Sequence, residues 1–138
     1  MGALRIRPPT VLVVEDDAII RMMAADLVEE LGFAMFEVSS ADAALTMLER
    51  HEEITIVFTD VHMPGSIDGL ELAALAHLRW PAVGLVVVSG EHVTTNDKLP
   101  GGAKFFAKPY DAARVQAALV QMSKDIATAA AAPENCCD

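Results

Sequence analysis

Short apolar runs alternate along this chain with stretches whose apolar residues recur at helical spacing. Val11-Leu12-Val13-Val14 is β-branched and apolar on both faces, as a buried parallel strand must be. Ile20, Met23, Ala24, Leu27, Val28 and Leu31 then repeat at helical spacing and predict an inward face. Asp16 and Asp17 suit the positive end of that helix, and Gly32 ends it. Residues 33–38 read as a second, weaker strand. Ser40 can cap a helix whose inward face is Ala41, Ala44, Leu45 and Leu48.

The pattern repeats. Ile54-Thr55-Ile56-Val57-Phe58-Thr59 is a third strand ending at Asp60, and Pro64, Gly65 and Gly69 mark a loop before an Ala/Leu-rich helix over 69–79, stopped by Pro81. Leu85-Val86-Val87-Val88 is the fourth strand, with Ser89 at its carboxyl end. The span 91–99 is a poor helix of weak formers, and 103–107 is a short fifth strand. From Asp111 onward, Val115, Ala118, Leu119, Met122 and Ile126 share one helix face. Strands alternating with helices make β-α repeats joined by right-handed crossovers. The expectation is one doubly wound, flavodoxin-like α/β domain, a five-stranded parallel sheet in the order 2-1-3-4-5. Residues 1–9 read as an N-terminal extension, 10–127 as the domain and 128–138 as a flexible Ala-rich tail.

Composition narrows the function. At 138 residues and 53% hydrophobic, the chain can build a core without staples and is not a disordered sequence. Ten basic against 20 acidic residues give a formal charge of -10, which repels a polyphosphate and argues against nucleic-acid binding. No apolar run approaches the ~18 residues of a membrane span, and Pro8-Pro9 interrupts any signal core behind Arg5 and Arg7. The adjacent Cys136 and Cys137 can staple nothing in the core. A cytoplasmic protein with no membrane contact is expected.

In such sheets, ligands sit beyond the carboxyl ends of the strands. The polar residues at those ends are Glu15, Asp16 and Asp17 after the first strand, Asp60 after the third, Ser89 after the fourth and Lys108 after the fifth. Clustered carboxylates repel one another unless a proton or a cation compensates. Oxygen donors of this kind favour Mg²⁺, or Mn²⁺. An Asp beside the metal can accept a phosphoryl group, and an ammonium and a hydroxyl opposite can hold the phosphoryl oxygens.

Five motifs stand in register with those strand ends: Val13-Val14-Glu15-Asp16-Asp17, Thr59-Asp60-Val61-His62-Met63-Pro64, Asp68-Gly69-Leu70, Val88-Ser89-Gly90 and Lys108-Pro109-Tyr110. Over about 10–125 the chain thereby resembles the receiver domain of two-component response regulators. The resemblance implies that Asp60 is the phosphoacceptor. It implies that Asp16 ligates Mg²⁺ directly and Glu15 through water, with Asp60 and the backbone carbonyl of His62 completing the set. Lys108 would pair with Asp60 at rest and with the phosphoryl group afterwards, through a cis Lys108-Pro109 peptide. Ser89 would then bond that group while Phe105 swings inward, and His62 and Glu91 would tune phosphoryl lifetime. The implied donor is a histidine kinase or a histidine phosphotransfer protein, and the implied output is a protein bound by the 91–125 face. Phosphorylation would reshape that face through the weak span 91–99.

The same residues have plainer readings. Asp17 reads as a helix cap, Phe105 as ordinary core and Ser89 as a turn residue unless the resemblance holds. His51, His77 and His92 carry no assignment. The chain reads as a stand-alone receiver, a signalling phosphoacceptor and not a conventional enzyme. The alternatives are a receiver fragment of a hybrid kinase or multidomain regulator, a phosphorylation-independent adaptor, and a haloacid-dehalogenase-like phosphatase. The last wants a second Asp two residues beyond the nucleophile, where this sequence has His62.

Overall fold

The computed structural model describes residues 9–90 and 99–131. Its elements run β1 (Thr10–Val14), α1 (Ala18–Glu29), β2 (Ala34–Val38), α2 (Ala41–Arg50), β3 (Ile54–Asp60), α3 (Gly69–Arg79), β4 (Gly84–Ser89), β5 (Lys104–Ala107) and α4 (Ala112–Ala131). All pairings are parallel and the five strands lie in the order β2-β1-β3-β4-β5. The predicted doubly wound sheet is therefore the observed one.

Burial explains the strand compositions. Every residue of β1 is buried, and β3 and β4 are nearly so, because helices cover both faces of the sheet. The edge strands β2 and β5 are only half covered and accordingly carry Glu37 and Lys104. Side chains alternate between two cores. Leu12, Val14, Val57, Leu85 and Val87 face α2 and α3, joined by Ala41, Ala44, Leu48 and Leu72. Val11, Val13, Ile56, Phe58, Val86 and Val88 face α1 and α4, joined by Leu27, Val28, Val115 and Leu119. Each large side chain fully withdrawn from water, such as Leu12 or Leu119, contributes about 1.5–3 kcal/mol.

Helix ends follow from their caps. The Asp17 carboxylate accepts from Ile19 N and Ile20 N, and the Ser40 hydroxyl oxygen accepts from Ala43 N. Asp68 and Glu71 form a reciprocal capping box at the start of α3. Gly32, at φ +78°, lets the chain leave α1 for β2.

Three expectations change. Met23, assigned to the inward face of α1, is 61% exposed, and Ile19 and Met22 are exposed beside it. The buried stripe lies further round the helix, where Ala24, Ala25, Leu27 and Val28 let the helix approach the sheet closely. Secondly, α4 continues past residue 128, the expected start of the tail, to Ala131, since an alanine run has no reason to leave the helix. Thirdly, Leu45 and Ile126 are only partly buried, packed against the rims of the cores. Glu91, His92, Cys136 and Cys137, and all of the weak span 91–99 except Leu99, lie outside the described residues. Among the described residues, no helix is long and apolar enough to cross a membrane.

Candidate functional site

The carboxyl edge of the sheet carries the polar residues. Glu15 follows β1 immediately and is 4% exposed; its N–H donates to Val38 O at the end of β2 (3.1 Å). Its carboxylate has two anchors: Oε2 accepts from Asp17 N (3.1 Å), and Oε1 lies 3.4 Å from Lys108 Nζ. Arg21, one turn into α1, donates from its guanidinium to Glu15 O (2.9 Å) and lies 3.7 Å from the Glu37 carboxylate. The β1–α1 loop is thus fixed at both its side chain and its carbonyl. Asp16, between two anchored neighbours, is exposed.

Asp60 is the last residue of β3 and only 7% exposed. Strand pairing sets its height: it lies opposite Val88, one residue before Ser89, and Val61 N continues the ladder to Val88 O (2.9 Å). Ser89 is fully buried at the end of β4. Lys108 N donates to Ser89 O (2.8 Å), which carries the β5 ladder one residue past the strand and brings Lys108 to the same edge. The Lys108-Pro109 peptide is cis, as the resemblance implied. Lys108 Nζ lies 3.4 Å from Asp60 Oδ2 as well as from Glu15 Oε1, so one ammonium bridges two buried carboxylates.

The electrostatics are unbalanced. Carboxylate oxygens of Glu15, Asp16 and Asp60 lie within 4.8 Å of one another. Against these three acids the described site offers one bridging ammonium. Burial pushes the Glu15 carboxyl above its ordinary range, and the Asp60 charge pushes the same way. The Asp17 amide and the Lys108 ammonium pull it back only in part. A cation held by oxygens would relieve this repulsion. The donors are all hard oxygens, which fit Mg²⁺ or Mn²⁺ and not the thiophilic metals.

The sequence therefore placed Glu15, Asp16, Asp60, Ser89 and Lys108 at one edge, and the structure gathers them there. Asp17 is a cap, as read. His62 is exposed two residues beyond Asp60, while Met63 beside it is buried. Phe105 is half-buried on β5 opposite Val87, packed against the α2–α3 core. Two residues were missed as parts of the site. Arg21 gave no signal, because its target is a backbone carbonyl six residues back. Tyr110 belonged to a quoted motif but had no role; its ring packs 6.2 Å from Phe58. Burial raises the Tyr110 phenol's pKa, Lys108 opposes that, and Glu15 and Asp60 reinforce it. Tyr110 packs against the α1–α4 core beside the site.

Known proteins carry the same pattern. A family model described as the response regulator receiver domain matches residues 11–120. The response regulator FleR of Pseudomonas aeruginosa is 33% identical over 105 residues, 74% of this chain and 22% of FleR. The transcriptional regulatory protein FixJ of Azorhizobium caulinodans is 35% identical over 78% of this chain and 51% of its own length. The chemotaxis protein CheY of Thermotoga maritima is 29% identical over 83% of this chain and 97% of CheY. The chain thus spans about a quarter of FleR and half of FixJ, but nearly all of CheY. Among solved structures, a response regulator receiver protein from Sinorhizobium medicae superposes with a TM-score of 0.79 at 25% identity, covering 88% of this chain and 99% of that one. A site read from strand ends, a sheet order read from β-α repeats and a family match over nearly the whole domain agree, and the chain belongs to the response regulator receiver domains of two-component signalling.

Proposed function

We propose that the chain accepts a phosphoryl group on Asp60 from a histidine kinase or a histidine phosphotransfer protein, with Mg²⁺ or Mn²⁺. The observation that carries this is the Lys108 ammonium 3.4 Å from both Asp60 and Glu15, beside an acidic cluster. A cation already at bonding distance from the acceptor is suited to follow the negative charge onto a phosphoryl group.

Glu15, Asp16 and Asp60, with the His62 carbonyl, would hold the divalent ion. When bound, it would offset the charge of the three carboxylates and of the entering phosphoryl oxygens. The chain's own residues do the rest. An Asp60 carboxylate oxygen attacks phosphorus, the bond from phosphorus to the donor's imidazole nitrogen breaks, and that nitrogen keeps the electron pair. The product is an aspartyl phosphate, later cleaved by water to inorganic phosphate and the free carboxylate. Lys108 leaves Glu15 and Asp60 to pair with the phosphoryl oxygens. Ser89 donates to one of them, and Phe105 fills the space behind it. His62 and Glu91 would tune how long the aspartyl phosphate lasts. The altered face over 91–125 then binds a downstream protein. The domain begins at residue 10 and closes with α4, acts in the cytoplasm, and turns over no external substrate.

The deciding experiment is intact mass after acetyl phosphate and Mg²⁺, on wild type and Asp60→Asn. The expected result is a single added phosphoryl group on wild type and none on the variant. Equal labelling of both would overturn the assignment of Asp60. A generic phosphate ester is expected to go unhydrolysed, as it would not be by a haloacid-dehalogenase-like phosphatase. Pull-downs with and without beryllofluoride then identify the output partner.

A further inference from the structure

Two exposed polar residues outside the site close a ring of contacts around one side of it. Ser66 Oγ, in the loop between β3 and α3, lies 2.7 Å from Asp42 Oδ1 and 2.9 Å from Asp42 Oδ2. We propose that Ser66 and Asp42 are a positioning pair that braces the two acid-bearing loops of the site against each other, a proposal that rests on the phosphoacceptor reading.

The ring can be followed residue by residue. Glu15 N donates to Val38 O, the last residue of β2. Two residues on, Ser40 caps α2, and Asp42 stands in its first turn. Ser66 donates to Asp42, and from Ser66 the chain runs back through the buried Met63 to Val61 and Asp60. The base of that loop is closed by Gly69 N donating to Val61 O (2.9 Å). The β1–α1 loop, with Glu15 and Asp16, and the β3–α3 loop, with Asp60 and His62, therefore meet through the start of α2.

The loop is shaped to make this contact. Gly65 has φ +129°, a conformation other residues rarely adopt, and its Cα faces Asp42, so that a Cβ there would lie 3.5 Å from Asp42 Oδ2. The adjoining hollow of about 420 Å³ is lined by His62, Met63, Pro64 and Asp68, leaving Met63 and Ile67 as the loop's apolar pegs. Ser66 adds a polar tie to these apolar contacts. A hydroxyl bonded to a carboxylate is stronger than a neutral pair. Outer contacts of this kind orient the groups that ligate a metal.

The test is the Mg²⁺ dissociation constant of the unphosphorylated protein by titration calorimetry, repeated with Mn²⁺. The variants are Ser66→Ala, Asp42→Ala, the double variant and Ser66→Thr, each with its metal-free melting curve. Ser66→Ala and Asp42→Ala are each expected to weaken binding roughly threefold to tenfold. The double variant should be no worse than the worse single, and Ser66→Thr should bind as wild type. Asp42→Asn, which keeps an acceptor oxygen, covers the case in which Asp42→Ala does not fold. Dissociation constants within twofold of wild type would overturn the brace, and so would two effects that simply add. Wild type that binds Mg²⁺ yet gains no phosphoryl mass at Asp60 would overturn the phosphoacceptor reading instead.

Discussion

Gly69 lies with its Cα against the backbone of Asp60, so close that a Cβ would overlap the Asp60 carbonyl oxygen and stand 2.8 Å from Val61 Cα. Its backbone φ is not the constraint; the approach is. The first residue of α3 is packed directly onto the end of β3, and Gly69 N seals the contact through Val61 O. The position of Asp60 thus depends on a missing methyl group nine residues away.

Gly69→Ala is therefore expected to push α3 off the strand or to displace Asp60. Overpacking against backbone costs about 1–3 kcal/mol, more where nothing can give. Urea unfolding should show that loss, and acetyl phosphate labelling of Asp60 should fall with it. A variant as stable and as readily labelled as wild type would show that the β3–α3 junction yields freely.

This contact also marks where the sequence was legible and where it was not. Strand order, helix spans and the edge-lining acids could be read because each rests on local periodicity or on residues next to a strand end. Gly69 is visible as a loop marker and within the Asp68-Gly69-Leu70 motif, but its approach to Asp60 is not, since that partner lies in another element. Met23 was misread for a related reason. At helical spacing it belongs to the inward stripe of α1, and only the neighbouring Ala24, Ala25 and Val28 determine which way that stripe turns. Arg21 and the Ser66–Asp42 contact reach across elements to a carbonyl or a carboxylate, and no spacing rule records them.

Glu15 gives a pH dependence with a definite sign. Its carboxyl pKa is raised above the ordinary glutamate range, with burial the first cause and Asp60 adding to it. The folded protein therefore binds this proton more tightly than the unfolded chain, and the contribution is most favourable at low pH. It is lost as pH rises from the unfolded value through the raised folded one. In EDTA at neutral pH, Glu15→Gln should raise the melting temperature. That gain should vanish below the ordinary glutamate range, where both versions are neutral. A Glu15→Gln variant less stable than wild type at neutral pH in EDTA would show that the charge there is welcome.

His62 separates its backbone from its side chain. The side chain is exposed, and the proposed function uses only the carbonyl toward the metal. His62→Asn is expected to change the half-life of the aspartyl phosphate severalfold while leaving Mg²⁺ affinity within about twofold, since imidazole and carboxamide differ in how they meet an attacking water. Loss of radiolabel from purified phosphoprotein follows the first quantity, and calorimetry the second. An unchanged half-life would remove His62 from the group that sets phosphoryl lifetime.

With this surplus of negative charge, a bound divalent metal would be a stabilising ligand in its own right. A ligand that binds only the folded state adds RT ln(1 + [L]/Kd), about 2.7 kcal/mol at a hundredfold excess over Kd. Mg²⁺ at that excess should raise the melting temperature of the unphosphorylated protein by about 8–12 °C on the scale of this domain's size. Asp16→Ala removes an exposed carboxylate from the cluster without opening a cavity, so its metal-free stability should stay near that of wild type. Its Mg²⁺-induced shift should collapse. Ca²⁺, larger and content with more oxygens than this cluster offers, should stabilise wild type less at equal concentration. If Asp16→Ala kept the full shift, the cation would be binding elsewhere on this acidic surface, and the carboxylates beside Lys108 would be held apart by the lysine alone.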